Sequence, residues 1–411
     1  MQRMKQVLIL STAILTSLFA TACSAPTSVG TQNSSTSKET QGVTKDQILV
    51  GTTVPMTGSG AQYGAVAEGA NAYFNYVNSH GGVNGRKIKL IILDDQFLPE
   101  KAAANAKQLV ADKVFATVST VGTADNEAAD PILTKAGIPV TGINTGSSAV
   151  SFPVSQKRFS YFPTYTTEGH VALKWLVTHK HIKTVGLFLE NDDWGKEEQK
   201  AIQAEAKVDG VKVVAEIPFN TTDTDYSTYA LNMKAKHPDA VIEVGMPQPV
   251  AQFMKGLLQL NFHPVQYLSY PAADPVMFKL AGSAFDQVYT AFWQPDLSSD
   301  KVKTFLTEFK KEYPNRIETS IGLEGWAEAQ IFVHALKACG NNVTWANFAK
   351  QMQNINDWTG AASASPVSYS ATNHVALHAL HIVQANAKTQ SFIPLSGNLT
   401  YQQGTSTDST K

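Results

Sequence analysis

Ile48-Leu49-Val50-Gly51-Thr52-Thr53-Val54 opens the folded part of the chain. A Gly-rich loop and a helical stretch at 63–77 follow, with Ala67, Ala70, Phe74 and Val77 on one face. This strand–loop–helix unit repeats. A strand at 88–93 ends in Asp94-Asp95, and helix 102–111, strand 114–119, helix 127–135 and strand 138–143 come after it. The same order restarts with strands at 184–189, 211–217, 240–245 and 265–268, separated by helices at 197–208, 226–235 and 250–260. Alternation at this spacing predicts βαβ units, parallel sheets and an α/β class. Two such blocks meeting around 160–169 predict two doubly wound domains. Helices at 305–313 and 323–338, a late strand at 377–383 and a frayed polar end at 401–411 complete the reading. In open parallel sheets, ligands bind at the carboxyl ends of the strands, so two facing sheets predict a cleft site between them.

With 411 residues the chain is long enough for two ordinary domains, and 43% apolar content excludes wholesale disorder. Lys+Arg 33 against Asp+Glu 34 leaves no basic excess for a nucleic-acid backbone. Only 16% of residues are charged, a composition that suits an exported protein. The first 22 residues read as a signal peptide: a short basic region with Arg3 and Lys5, then an apolar run too short for a comfortable membrane span. Ala20-Thr21-Ala22-Cys23 resembles a bacterial lipobox, with Ala20 where Leu is usual, and reads also as an A-x-A secretory site. The Ser/Thr/Gln-rich segment behind it behaves as a flexible tether, which favours lipidation at Cys23 and an anchor plus linker over 23–44.

The loop Gly58-Ser59-Gly60-Ala61-Gln62-Tyr63-Gly64 has GxGxxxG spacing, and its nearest acidic pair lies too far on for a dinucleotide fingerprint. It reads either as a plain strand-to-helix loop or as a ligand contact with Tyr63 at its tip. Gly122-Thr123 and Asn144-Thr145-Gly146-Ser147-Ser148 follow two strands of the first block; their hydroxyls serve as helix caps or, with helix-start N–H groups, as a carboxylate site. Trp194, after the first strand of the second block, is a lid over a ligand or packing over a turn, and Asp192 and Asp193 read as loop and cap residues. His374, His378 and His381 lack an acidic or thiol partner nearby, and Cys339 reads as an inert, semi-buried thiol. No metal and no cofactor are expected, and no GxSxG, HExxH, CxxC or Walker-type loop marks an enzyme.

Seven segments stand in the order found in one family: Ile48-Leu49-Val50-Gly51, Gly60-Ala61-Gln62-Tyr63-Gly64, Gly81-Gly82-Val83-Asn84-Gly85-Arg86, Asp94-Asp95, Ala136-Gly137-Ile138-Pro139-Val140, Asn191-Asp192-Asp193-Trp194-Gly195 and Leu336-Lys337-Ala338-Cys339-Gly340. From about Val43 to Gln402 the chain resembles type I solute-binding proteins of the leucine/isoleucine/valine-binding kind, which serve ABC importers. Pro163 with Thr164-Tyr165-Thr166-Thr167-Glu168-Gly169 looks like a branch that includes receptors for aromatic acids. The resemblance implies two lobes joined by a three-strand hinge. Lobe 1 would comprise 45–163 plus 295–370 and lobe 2 would comprise 164–294 plus 371–400, with 401–411 a flexible tail.

Carried over, Tyr63 matches an aromatic ligand contact, and Gly122 and Thr123 fall in the loop that holds the ligand carboxylate. Ile143, Asn144 and Thr145 fall where backbone carbonyl and Thr groups hold both ends of an amino acid, while Trp194 and Met246 match second-lobe tyrosines. Tyr270 falls where amino-acid receptors place a Glu against the ligand ammonium, with Glu324 the nearest alternative. The missing acid implies a larger, more apolar site, suited to a carboxylate with an aromatic or long apolar body. The partners implied are a small carboxylate ligand, an ABC permease in the cytoplasmic membrane and the lipid anchor. A sensing receptor on the same fold and an exported enzyme are the rival readings.

Overall fold

The aliphatic and β-branched runs pair as two sheets in a computed structural model that describes residues 40–295, 297–316, 319–402 and 405–408. In the first sheet β1 (Gln47–Val54), β2 (Lys87–Asp94), β3 (Ala116–Val121), β4 (Val140–Asn144) and β5 (Arg158–Ser160) run parallel in the order β2-β1-β3-β4-β5. In the second, β6 (Thr184–Glu190), β7 (Lys212–Phe219), β8 (Ala240–Val244), β9 (Val265–Leu268) and β10 (Tyr289–Phe292) repeat that order as β7-β6-β8-β9-β10. Two antiparallel strands, β11 (His381–Asn386) and β12 (Ser391–Pro394), extend it past β10. The architecture is the expected pair of doubly wound α/β lobes.

Each sheet reverses its winding beside its first strand, β1 against β3 and β6 against β8. Such switch points open a crevice at the strands' carboxyl ends, because the flanking loops turn to opposite faces. Three crossings join the lobes and are hydrogen-bonded to one another. Ser160 N–H donates to His374 O at 2.8 Å, Ala376 N–H to Ser160 O at 3.0 Å, and Ala364 N–H to Trp293 O at 3.0 Å. That pairing explains why the late strand starts at His381 rather than at 377: Ala376 and Leu377 are engaged with Ser160 and Tyr161, and Leu380 with Leu399. The end read as frayed carries a hairpin of β13 (Leu399–Gln402) and β14 (Thr405–Asp408), attached through buried Leu399.

In the first lobe, helices Ala65–Ser79 and Ser320–Ala338 touch backbone to backbone. A Cβ on Gly69 would sit 1.8 Å from Gly322 O, and one on Gly325 would sit 1.8 Å from Val66 O. No side chain other than hydrogen fits there, so the glycines set the depth at which the two helices mesh. Trp326, Phe305 and Phe309 fill the space beside the contact. Several elements were not read in advance, among them β5, β10, the helix Trp345–Gln353 and the longer helix Tyr165–Lys180.

Candidate functional site

The cleft between the two carboxyl edges encloses about 590 Å³ not occupied by protein atoms, part of it continuous with solvent.

On the first lobe, Asp94 holds the loop after β1. Its Oδ1 accepts the N–H groups of Met56 (2.9 Å) and Thr57 (3.2 Å), and its Oδ2 accepts the Thr57 hydroxyl at 2.6 Å. The loop then delivers Tyr63 to the cleft, where its hydroxyl donates to Pro271 O of the second lobe at 3.1 Å. Asp95 accepts the Phe97 N–H at 3.0 Å across a left-handed turn at Gln96 and Phe97. Phe97 is thereby brought alongside Tyr63, with ring centroids 6.2 Å apart.

Gly122 follows β3 with φ +94, and a Cβ there would lie 2.7 Å from Asp125 Oδ2, which is why a hydroxyl residue does not fit. It opens the helix Thr123–Ala136, whose first turn has no side-chain cap, so helix-start N–H groups remain for another partner. Thr123 Oγ1 and Thr145 Oγ1 are 2.7 Å apart, and the Thr145 hydroxyl also accepts Ser147 N–H at 3.1 Å.

On the second lobe, β6 ends in Glu190, and Asp192 caps the helix Asp193–Asp209 by accepting Gly195 N–H at 2.9 Å. A Cβ on Gly195 would lie 2.0 Å from Glu190 O, so only glycine lets the helix start this close. Trp194 in the first turn stacks on Tyr165, centroids 5.6 Å apart and 25° between planes. Glu190 accepts Met246 N–H at 2.9 Å, tying the ends of β6 and β8 together. Burial, and then Asp192 beside it, pushes the Glu190 carboxyl up to about 7. Glu324, from the helix Ser320–Ala338, faces the cleft from the first lobe, and burial raises it well above the usual carboxylate range.

Of the residues singled out from the sequence, Tyr63, Gly122, Thr123, Asn144, Trp194 and Met246 line one cavity. Three others do not line it. Ile143 is buried in the core of the first lobe. Thr145 lies behind Thr123, its hydroxyl 3.4 Å from the Tyr165 hydroxyl. Tyr270 stands behind the wall, donating to Pro163 O at 2.6 Å and packing edge-on against Phe162 and Trp293. The acid absent at the Tyr270 position is found elsewhere: Glu324, the alternative named from the sequence, lines the cavity together with Glu190 and Asp192, so the site is less apolar than expected. Sequence reasoning placed Glu190 only in the polar loop after a strand and did not reach Phe97, Phe162, Trp293 or Pro271. The polar turn around Glu190 was the one available signal.

Behind Tyr270, Glu168 and Glu198 both lie 2.8 Å or less from the Ser269 hydroxyl, and Glu168 accepts Tyr270 N–H at 2.7 Å. Burial raises both carboxyls, so this pair keeps a proton between them and braces the wall.

Two further contacts cross the cleft besides Tyr63–Pro271. Ser148 donates its N–H (2.9 Å) and its hydroxyl (2.6 Å) to Glu197, and the Ser320 hydroxyl donates to Asp274 at 2.9 Å. The lobes are closed on one another.

His374 Nδ1–H donates to Ser155 O (2.9 Å) and Arg158 O (2.8 Å), and the ring stacks on Phe159. Among the described residues, no group of three or more His, Cys, Asp or Glu is placed to hold a metal ion. Cys339 is buried, with its thiol pushed up to about 11 by burial. Cys23 lies outside the described residues, and among those described no helix is long and apolar enough to cross a membrane.

The model of the family described as periplasmic binding protein matches residues 47–390. Leu/Ile/Val-binding protein homolog 8 of Brucella abortus is 23% identical over 309 residues, covering 71% of this chain and 76% of its own. An amino acid binding protein of Pseudomonas aeruginosa is 26% identical over 201 residues, 48% of this chain and 54% of its own. Among solved structures, a fatty acid ABC transporter substrate-binding protein from Thermomonospora curvata superposes with a TM-score of 0.81 at 21% identity, covering 89% of this chain and 95% of that one. The branched-chain amino acid transporter substrate binding protein LivJ from Streptococcus pneumoniae, in complex with isoleucine, gives 0.74 at 20% identity, covering 85% and 99%. At these identities the structural likeness bears on the fold.

Proposed function

The chain belongs to the periplasmic binding protein family, and from that premise we propose that it is the extracytoplasmic solute receptor of an ABC importer, tethered to the membrane through a lipidated Cys23. It captures a small amino-acid-like ligand by closing its two lobes and performs no chemistry on it. One observation carries this reading: a single cleft at the carboxyl edges of two sheets of identical strand order, with hydrogen bonds bridging it from both sides.

The ligand carboxylate docks at the start of the helix Thr123–Ala136, where uncapped N–H groups and the Thr123 hydroxyl offer donors. Its positive end lies toward Glu190 and Glu324. A purely anionic aromatic acid fits less well, because it would meet three acidic side chains with no base among the lining residues. The names of the Brucella and Streptococcus proteins, which refer to branched-chain amino acids, support the amino-acid class. Closure over the ligand expels water and produces the form that a permease recognises.

Thermal unfolding of the purified protein against millimolar amino acids, amides and aromatic acids tests the proposal. At 1 mM, a ligand of micromolar affinity adds about 4 kcal/mol by mass action. That raises the midpoint by roughly 8–16 °C for domains of this size. A shift with zwitterions is the expected result; a panel in which no small molecule shifts the midpoint overturns it.

A further inference from the structure

The walls of the cleft are aromatic to an unusual degree for a site facing three acids. Tyr63 and Phe97 form one side; Phe162 with Trp293, and Tyr165 with Trp194, form the other, with centroid separations of 4.7 and 5.6 Å in the last two pairs. The hydroxyls of these rings are already engaged, Tyr63 with Pro271 O and Tyr165 with Thr145. The rings offer the ligand π surface.

The acceptors beside them are the carboxyl oxygens of Glu190, Asp192 and Glu324 and the unpartnered Oδ1 of Asn144. One oxygen of Glu190 takes the Met246 N–H, and Asp192 Oδ1 takes the Gly195 N–H. A primary ammonium carries three N–H donors, each of which needs an acceptor once water is excluded. A nitrogen that carries methyl groups needs none. It gains instead from the quadrupoles of surrounding rings, from nearby negative charge and from apolar contact. Val66, Val121 and Met246 complete the lining with further apolar surface.

We propose that the positive end of the ligand is an alkylated nitrogen, of the trimethylammonium type, seated against the aromatic faces between Glu190 and Glu324. This rests on the receptor reading above and names the chemistry of one end of its ligand.

The test uses matched probes titrated into the purified protein by calorimetry. The pairs are glycine betaine with glycine, and 4-(trimethylammonio)butyrate with 4-aminobutyrate. A third probe, 5,5-dimethylhexanoate, keeps the shape of the longer betaine and removes its charge; leucine and valine are run alongside. The expected result is that a trimethylammonium member binds at least tenfold tighter than its primary-amine partner, and that 4-(trimethylammonio)butyrate outbinds 5,5-dimethylhexanoate by as much. Glu324→Gln should then cost the betaine tenfold while leaving the uncharged probe within a factor of two.

Equal or tighter binding of the primary amines, leucine or valine overturns the inference and leaves the receptor reading in place. Equal binding of 5,5-dimethylhexanoate overturns the charged element alone. Silence across every probe overturns both readings. The comparison among probes is made on the unmodified protein, so it stands even where Glu324→Gln fails to fold.

Discussion

The two lobes use one strand order and place their ligand groups at the same kind of edge, yet they present opposite chemistry there. Beyond its aromatic Tyr63 and Phe97, the first lobe meets the cleft at the end of β3 with a threonine hydroxyl and the uncapped start of a helix, both able to donate. The second meets it with Glu190 and Asp192 at the end of β6 and with Trp194 and Met246, acids and large soft surfaces. The acid that the first lobe does contribute, Glu324, comes from a helix meshed through glycines rather than from a strand end. Topology thus sets where the groups go, and local sequence sets the polarity of the ligand they can take.

The sharpest way to break that comparison is at the glycine contact. Gly69→Ala drives a methyl group to 1.8 Å from a backbone carbonyl that has no rotamer to yield. We expect a loss of about 3 kcal/mol, the upper part of the usual overpacking range, seen in denaturant unfolding. A neutral outcome would mean that the two helices do not fix Glu324.

Asp130 sharpens the contrast from the other direction, because it is an acid of the first lobe with no ligand role. It is buried, both its carboxyl oxygens lack hydrogen-bond partners, and burial pushes it up to about 7. A carboxyl raised on folding binds its proton more tightly in the native state. Its stabilising effect is therefore fully present below the unfolded value near 3.8 and is lost as pH rises through about 7. Asp130→Asn is expected to stabilise the protein by about 2 kcal/mol at pH 8, and by little at pH 4; equal effects at both values would exclude titration of this group.

Ligand binding probes the donor edge directly. Thr123→Val should weaken binding roughly tenfold, about 1.4 kcal/mol, with the unfolding midpoint of the free protein unchanged. Thr145→Val should do less, since Thr145 only orients Thr123 and Tyr165. The reverse ranking would move the ligand deeper than the cavity described above. The smallest effect belongs to the joint between the lobes: Glu197→Gln keeps the shape of the side chain and weakens the bonds from Ser148. A three- to fivefold rise in Kd is expected, with small-angle scattering of the free protein shifted toward a larger radius.

Much of this was legible in the chain. Runs of β-branched residues separated by amphipathic helices specify a doubly wound lobe almost unaided, because period and burial coincide in such strands. Tyr63, Gly122, Thr123 and Trp194 were reachable because each stands in the segment between a predicted strand and the helix that follows it, and Met246 through the family resemblance. Phe162 and Trp293 were not, since they ride on the crossings between lobes, where no periodicity marks a residue as lining anything. Phe97 depends on two consecutive left-handed residues after β2, a backbone choice that its own side chain does not advertise. Tyr270 shows the converse: a residue at the right place in the sequence whose hydroxyl is drawn away to Pro163.

The contacts across the cleft carry one more consequence. They hold the second lobe at two places, the segment after β9 (Pro271 and Asp274) and the helix after β6 (Glu197). Strand β8 separates β9 from β6, so the two holds come from segments that follow non-adjacent strands. A lobe held at two such points, with the hydrogen-bonded crossings as a third support, has no free pivot left. A ligand slightly too long cannot be accommodated by a slightly smaller closure angle, because tilting away from one hold strains or severs the other. Discrimination by length should therefore fall off as a step rather than a slope, and homologous series of ligands should show one abrupt loss of binding at a single added methylene.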